Sequence, residues 1–398
     1  MSNSIMKLIS EDFKEEIKSR ISKIKKGLED ENLDAILVAA NVNIYYTTGR
    51  IFRGYVFIPK EGDPIWFVIK PQIFENEKNV FFIRKPEEIP TILLNINIPL
   101  PNSIALEEDD LSYSTIIRLK ALFPDSSLHN GSSIIKKARM IKTTWEINEM
   151  KIDGLHHSKV YGEIKDCYKK GMTDLQLQIE IERKLRLEGS IGISRIAGNL
   201  MEINLGSVIN GDNADNPSPY EFTMGGEGMN NVLPVGANNS PIIKGQTVMI
   251  DMNGAFNGYQ TDMTRVWSLG EIPEIAKKAH NCSIEILRIL ETEAIPGCPI
   301  KDLFEIAMGI VERNNLKDFF MGHNSQVNYI GHGVGIELNE IPVINKRSKD
   351  ILQENMVIAL EPKFVIPGVG AVGIENTYVV TKNGLQNITI FPEEIMKF

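Results

Sequence analysis

The chain has little of what staples small folds or binds soft metals: cysteine occurs only as Cys167, Cys282 and Cys298 among 398 residues. An odd number at unrelated spacings gives neither a CxxC pair nor a disulfide framework, and fits a reducing, cytoplasmic setting. Histidine is also scarce, with only His129, His156, His157, His280, His323 and His332 available for imidazole chemistry. No apolar run approaches the roughly 18 residues that a membrane span needs. The opening segment MSNSIMKLISEDFKEE turns acidic before the apolar core of a signal peptide can form. Basic residues are outnumbered, with 43 Lys and Arg against 52 Asp and Glu and a net charge of −9. With no basic stripe interleaved with aromatics, attachment to nucleic acid or anionic lipid through phosphate contacts is not expected.

What is present is a globular composition, 42% hydrophobic and 24% charged, at a length that suggests two domains. The first third reads as a small α/β unit. It opens with an amphipathic helix near 11–31, where Phe13, Ile17, Ile21, Ile24 and Leu28 recur at helical spacing. Strands are expected at 34–40, 55–59, 65–70, 79–83 and 103–107, followed by a helix near 113–123. The turn-rich PDSSLHNGSS places a boundary around 125–140, giving expected domains of 1–135 and 140–398.

Beyond the boundary, helices are expected at 142–170, 173–188, 273–292 and 299–315. Residues 193–245 are rich in Gly, Asn and Pro and nearly empty of periodic apolar pattern, which fits either a functional wall or a surface excursion. Two hairpins stand out. One is TVMIDMNGAFNGYQTDMTRVW, with Asn-Gly turn signals, and the other is NMVIALEPKFVIPGVGAVGIENTYVV, broken at Pro367-Gly368. Their likeness suggests a duplicated half-domain.

Each hairpin carries two carboxylates, Asp251 with Asp262 and Glu361 with Glu375. Any one of them alone reads as an ordinary hairpin-end acid in water. Asp251 and Glu361, however, directly follow the apolar runs VMI and VIAL, where a charge is costly unless paired or metal-bound. Four clustered carboxylates repel one another unless something positive sits among them. His332 lies between Gly331 and Gly333, which let the backbone pack closely around a site. A lone histidine in an apolar stretch is more often a satisfied core residue. Taken together, one imidazole and four carboxylates form an oxygen-rich set suited to two divalent cations, with Mn, Co, Fe or Zn favoured over Cu.

The order Asp251, Asp262, His332, Glu361, Glu375, set in IDMNGAFNGYQTDMTR, GHGVGIELNEIP, LEPKFVIPGVG and VGIENTYVV, resembles the M24 metallopeptidases. That family includes methionine aminopeptidase, aminopeptidase P and prolidase, and creatinase shares the fold. The segment ARMIKTTWEINEMK resembles the entry to the catalytic domain in the aminopeptidase P and prolidase branch. The resemblance implies an α/β creatinase-like N-terminal domain followed by an α+β pita-bread domain, a pseudo-two-fold antiparallel sheet covered by helices. It also implies that Asp251 chelates one metal, that His332 and Glu361 bind the other, and that Asp262 and Glu375 bridge the two. Glu361 is then the proton shuttle, and a homodimer is expected.

The chain departs from that pattern at the substrate-facing histidines. One falls near Pro234, and no histidine occurs between 158 and 279. The others are Asn339, in the string Asn339-Glu340-Ile341-Pro342, and Asn328, while an Arg expected two positions before the last ligand is Gly373. Asn339 can still donate a hydrogen bond and is retained as a catalytic and substrate-binding candidate. His323 and Glu227 are possible stand-ins, with Asp212, Asp215 and Glu221 on the rim of the 206–240 segment. Metal binding is therefore expected to persist while substrate recognition has changed.

Three functions remain open from sequence. The first is a dinuclear metallohydrolase acting on an Xaa-Pro dipeptide or on the N-terminal residue of a peptide with proline second. The second is a metal-dependent hydrolase of a non-peptide amide or amidine. The third is a non-catalytic binding protein on the same fold, against which the complete ligand set argues.

Overall fold

The computed structural model describes residues 11–73, 79–198 and 202–398. Residues 1–10, the first part of the segment on which the signal-peptide expectation rests, lie outside the described residues. The chain divides into two compact units, Met1–Arg139 and Met140–Phe398.

In the first unit, helix α1 (Glu11–Asp30) buries Ile21, Ile24 and Leu28 along one stripe, as its 3.6-residue period requires. The strands are β1 (Ala35–Val38), β2 (Arg53–Pro59), β3 (Ile65–Lys70), β4 (Val80–Phe82), β5 (Ser103–Leu106) and β6 (Ser127–Asn130). They form one sheet in the order β4-β3-β2-β1-β5-β6, antiparallel at β1–β2 and β2–β3 and parallel elsewhere. Helices α2 (Asn41–Thr48), α3 (Ile89–Asn95), α4 (Tyr113–Lys120) and α5 (Ser132–Met140) complete the unit. Of these only α4 was expected, and the turn-rich 125–140 stretch folds as β6 and α5.

Helix α2 is full of β-branched and aromatic residues, which are weak helix formers. It is fixed from outside. Buried Glu107, directly after β5, accepts hydrogen bonds from the Ala39 and Ala40 amides and from Asn43 Nδ2, at 2.5, 2.8 and 2.7 Å. They hold the chain where it enters the helix, whose N-cap residue Ala40 has no side chain able to cap it.

The second unit opens with α6 (Thr144–Gly162) and α8 (Asp174–Glu188), each started by a reciprocal capping box, Thr143 with Glu146 and Thr173 with Gln176. The single helix expected over 142–170 is split, because α6 stops at Glu163 and a short α7 (Ile164–Cys167) follows. A strand, β7 (Gly206–Asn210), emerges from the Gly/Asn-rich region. It pairs with the first expected hairpin, β8 (Thr247–Gly254) and β9 (Thr261–Ser268). Helices α9 (Glu274–Glu293) and α10 (Ile300–Arg313) follow, each presenting an apolar face to the main core.

Strands β10 (Gly331–Gly333) and β11 (Glu340–Val343) come next, then β12 (Val357–Leu360), β13 (Lys363–Ile366), β14 (Gly370–Gly373), β15 (Asn376–Thr381) and β16 (Gly384–Asn387). The second expected hairpin is therefore two nested ones: β13 pairs with β14 at the tip, while β12 pairs with β15 in the sheet β11-β10-β12-β15-β16. The last strand, β17 (Met396–Lys397), lies parallel to β9 at the edge of the sheet β17-β9-β8-β7.

Period-two alternation gives the β8–β9 pair its two faces. Val248, Ile250, Met252, Met263 and Trp267 pack into the cluster with α6, α7 and α8. The alternate residues on β8 and β9, including Asp251 and Asp262, face the opposite way. Antiparallel bonds between Thr264 and Glu375, at 3.4 and 3.3 Å, tie β9 to the residue just before β15.

Candidate metal centre

The two hairpins deliver their carboxylates to one place. Asn253 stands opposite Asp262 and Asp251 opposite Thr264 on the β8–β9 ladder, so both aspartates share a face. Glu361 and Glu375 occupy the two junctions where the β12–β15 pair gives way to β13–β14. His332 is on β10, next to β12, with Ala359 as its ladder partner. Asp262, Glu361 and Glu375 are buried, while the Asp251 side chain keeps 25% of its surface exposed.

Ligand atoms of Asp262, His332 and Glu375 lie within 4.8 Å of one another. His332 Nε2 is 3.7 Å from Asp262 Oδ2 and 3.7 Å from Glu361 Oε1. The other ring nitrogen, Nδ1, is 3.1 Å from the Gly333 carbonyl, so it carries the proton and leaves the Nε2 lone pair facing the acids. Glu375 Oε1 is buried with no hydrogen-bond donor among the described residues. A buried carboxylate with an orphaned oxygen, grouped with an imidazole lone pair and a second carboxylate, is what a divalent cation would satisfy, so the residues present fit a metal.

One cation of the protein's own is already there. Lys363, at the start of β13 and fully buried, places Nζ 2.9 Å from Asp251 Oδ2, 2.8 Å from Glu361 Oε2 and 2.8 Å from Glu375 Oε2. A single ammonium does not compensate four acids. Burial first, and then the neighbouring negative charges, push Asp262 and Glu375 well above the usual carboxylate range. Lys363 is pulled down by burial, but the four carboxylates together more than reverse that and raise it. The lysine was not singled out from sequence. Its signal was a charge opening the apolar run Phe364-Val365-Ile366 two residues after Glu361, and hence on the same face of an extended chain.

Several side chains hold the acids in place. Thr223 donates to Glu361 Oε2, and Thr264 Oγ1 donates to Glu375 Oε2 at 2.8 Å. Thr377 accepts from the Asp262 amide and donates to its carbonyl, at 2.8 and 2.9 Å. Buried Arg265 clamps the backbone behind the site, donating to the Thr264 and Glu375 carbonyls at 2.8 Å each.

The centre lies at the floor of a cavity of about 230 Å³. Its walls combine Ile196, Ile203, Phe222, Met224, Leu338 and Val343 with Thr223, Tyr329 and Asn339. Part of the Gly/Asn-rich stretch thus forms a wall, and Glu221 is on it. Asn339 lines the cavity with its side-chain amide anchored to Ala197, accepting from the Ala197 amide at 2.8 Å and donating to its carbonyl at 3.3 Å. The structure does not bring the other two stand-ins to the cavity. His323 is held by Asp215 at 2.9 Å, and Glu227 turns to Asn238 at 3.1 Å. Asp212 is likewise occupied, accepting from the Gly368 amide at 2.6 Å.

Comparison with known proteins followed the same division. Residues 148–382 match the model of metallopeptidase family M24, and residues 20–141 match that of the creatinase/prolidase N-terminal domain. The chain is 26% identical to an Xaa-Pro dipeptidase of Pyrococcus furiosus, over 96% of this chain and 100% of the relative. With an Xaa-Pro dipeptidase of Lactobacillus helveticus it shares 27% identity, covering 93% of this chain and 96% of the relative. Among solved structures, an Xaa-Pro dipeptidase from Bacillus anthracis superposes with a TM-score of 0.80 at 21% identity, covering 96% and 100% of the two chains. An X-Pro aminopeptidase from Thermotoga maritima gives 0.77 at 22%, covering 95% and 99%. The two-domain architecture, creatinase-like and then pita-bread, is thus shared with these structures.

Proposed function

The chain belongs to metallopeptidase family M24, and from that premise we propose that it hydrolyses the bond between an N-terminal residue and a following proline. The observation that carries the proposal is the convergence of His332 and four carboxylates at the floor of a cavity with largely apolar walls. At about 230 Å³ the cavity is below the ~300–1,000 Å³ usual for small-ligand sites, which suits a dipeptide or the first residues of a peptide. Relatives whose names specify Xaa-Pro dipeptides align along nearly the whole chain.

In this proposal Asp251, Asp262, His332, Glu361 and Glu375 make up the metal centre, the ion being Mn, Co, Zn or Fe. A divalent ion held there supplies a Lewis acid for the scissile carbonyl and acidifies a water. Glu361 takes up a proton on its Oε1 side and returns it to the leaving amine, while Thr223 and Lys363 hold Oε2 and so keep Oε1 turned toward His332. The apolar wall receives the substrate's side chain and the prolyl ring and excludes water. Asn339 contributes by fixing Ala197, the residue next to Ile196 of that wall. The catalytic machinery belongs to residues 140–398, and residues 1–135 form the creatinase-like domain. A cytoplasmic homodimer completes the assignment, supported by the family resemblance and by the scarcity of cysteine.

Protein stripped with chelator and reloaded with Mn, Co or Zn is expected to cleave members of an Xaa-Pro peptide panel. Complete inactivity across the panel with metal bound would overturn the substrate assignment. Asp262→Ala is expected to lose metal and all hydrolysis; unchanged metal retention in that variant would remove Asp262 from the ligand set.

A further inference from the structure

Lys363 is built into the centre as firmly as the acids are. Its β13 backbone pairs with β14, and Gly373, the ladder partner of Lys363, has φ +128°. A Cβ at 373 would lie 2.8 Å from Lys363 Cα and 2.6 Å from the Pro362 carbonyl oxygen, so only glycine lets the two strands approach this closely. The next residue, Phe364, is buried against Phe320, with ring centroids 5.1 Å apart. The ammonium has three N–H donors, and three different carboxylates accept them at 2.8–2.9 Å.

This arrangement divides the acids' oxygens into two sets. Asp251 Oδ2, Glu361 Oε2 and Glu375 Oε2 are turned to the ammonium. Glu361 Oε1 and Asp262 Oδ2 are near His332 Nε2, and Glu375 Oε1 has no donor. A cation among the first set would have to displace a fully buried lysine from all three partners, leaving its charge in an apolar interior. A cation among the second set displaces nothing.

We propose that Lys363 Nζ stands permanently in one of the two cation positions, so that the centre takes one divalent ion, bound by Asp262, His332 and Glu375. The formal charge is consistent. Four carboxylates and one ammonium sum to −3, and one divalent ion brings the cluster to −1. Asp251 is then a partner of Lys363, and the ammonium replaces what a second ion would do for the bridging acids. The inference rests on the metallopeptidase assignment for the presence of an ion, and not on the identity of the peptide.

The test is elemental analysis of the full chain after saturation with Mn and removal of free metal, with Lys363→Met as the comparison. The wild type is expected to hold one ion per chain and the variant two. Two ions or none in the wild type would overturn the proposal, as would one in both. Because the variant loses a buried charge and can fail to fold, a crystal structure of the wild type soaked in Mn provides a second readout. It should show one anomalous peak bounded by Asp262, His332 and Glu375, with Nζ still bonded to Asp251, Glu361 and Glu375. A peak at the ammonium's position, with the lysine swung away, would contradict it. If one ion binds and no Xaa-Pro peptide is cleaved, the substrate assignment fails and this inference stands. Hydrolysis with two ions bound has the opposite meaning.

Discussion

At the scale of single residues, the site is a contest over how buried negative charge is neutralised. Asp251 and Glu361 were visible in the sequence because each ends an apolar run, where an uncompensated charge costs several kcal/mol. His332 was visible through its flanking glycines. Lys363 was missed because a lysine next to proline at the start of a strand looks like a solvated edge residue, and only the fold shows that it points inward. Removing one member of a buried ionic network typically costs about 3–5 kcal/mol. Lys363→Met is therefore expected to be destabilised by that order in chelator and to recover when Mn is added, because a ligand bound only by the folded state stabilises it. Denaturant melts with and without Mn check this; equal loss in both would mean that no ion can replace the ammonium. Glu361→Gln should lower kcat by about 10²–10⁴, the usual range for a lost proton carrier, while keeping the ion held by Asp262, His332 and Glu375. A normal rate would remove Glu361 from the proton path.

At the scale of elements, long periodic helices and the Asn-Gly hairpin followed local rules and could be read directly. The elements that escaped are held by distant partners. Helix α2 is anchored at its entry by Glu107, and the second hairpin is split by the two acidic junctions at Glu361 and Glu375. Glu107→Ala should cost about 1–3 kcal/mol through two or more unsatisfied amides and should speed hydrogen exchange selectively over Asn41–Thr48. Unchanged exchange there would mean that α2 is not held by this carboxylate.

Helix α6 is joined to β9 by a buried chain in which Thr261 Oγ1 donates to Asp153 Oδ2 at 2.9 Å and lies 3.0 Å from His157 Nδ1. Burial lifts the Asp153 carboxyl to about 7 and depresses His157 to about 3. A carboxyl raised in the fold loses stabilisation as pH rises from its ordinary 3.8 to about 7; the depressed imidazole loses it in the other direction, as pH falls from 6.5 to about 3. Asp153→Asn keeps an acceptor for the Phe256 amide and removes only the first effect. Its Tm relative to the parent should therefore climb between those two pH limits of the carboxyl. A pH-independent difference would show that Asp153 is ionised in the fold throughout.

At the scale of the whole molecule, composition excluded broad classes of partner, and the order of five ligands pointed to the family. Neither could show that the protein supplies one cation itself, which depends on the side of β13 from which Lys363 projects, nor that His323 and Glu227 are bound elsewhere, which depends on loops with no periodic pattern. No helix among the described residues is long and apolar enough to cross a membrane. The acidic excess that first argued against nucleic acid is partly spent on the centre, where four of the 52 acids meet one of the 43 bases. The most direct measurement is a titration of chelator-stripped protein with Mn while the hydrolysis of an Xaa-Pro dipeptide is followed. The predicted result is a rate that rises linearly and reaches its plateau at one ion per chain. A plateau reached only at two ions per chain, or a rate that stays at zero at every loading, would contradict it.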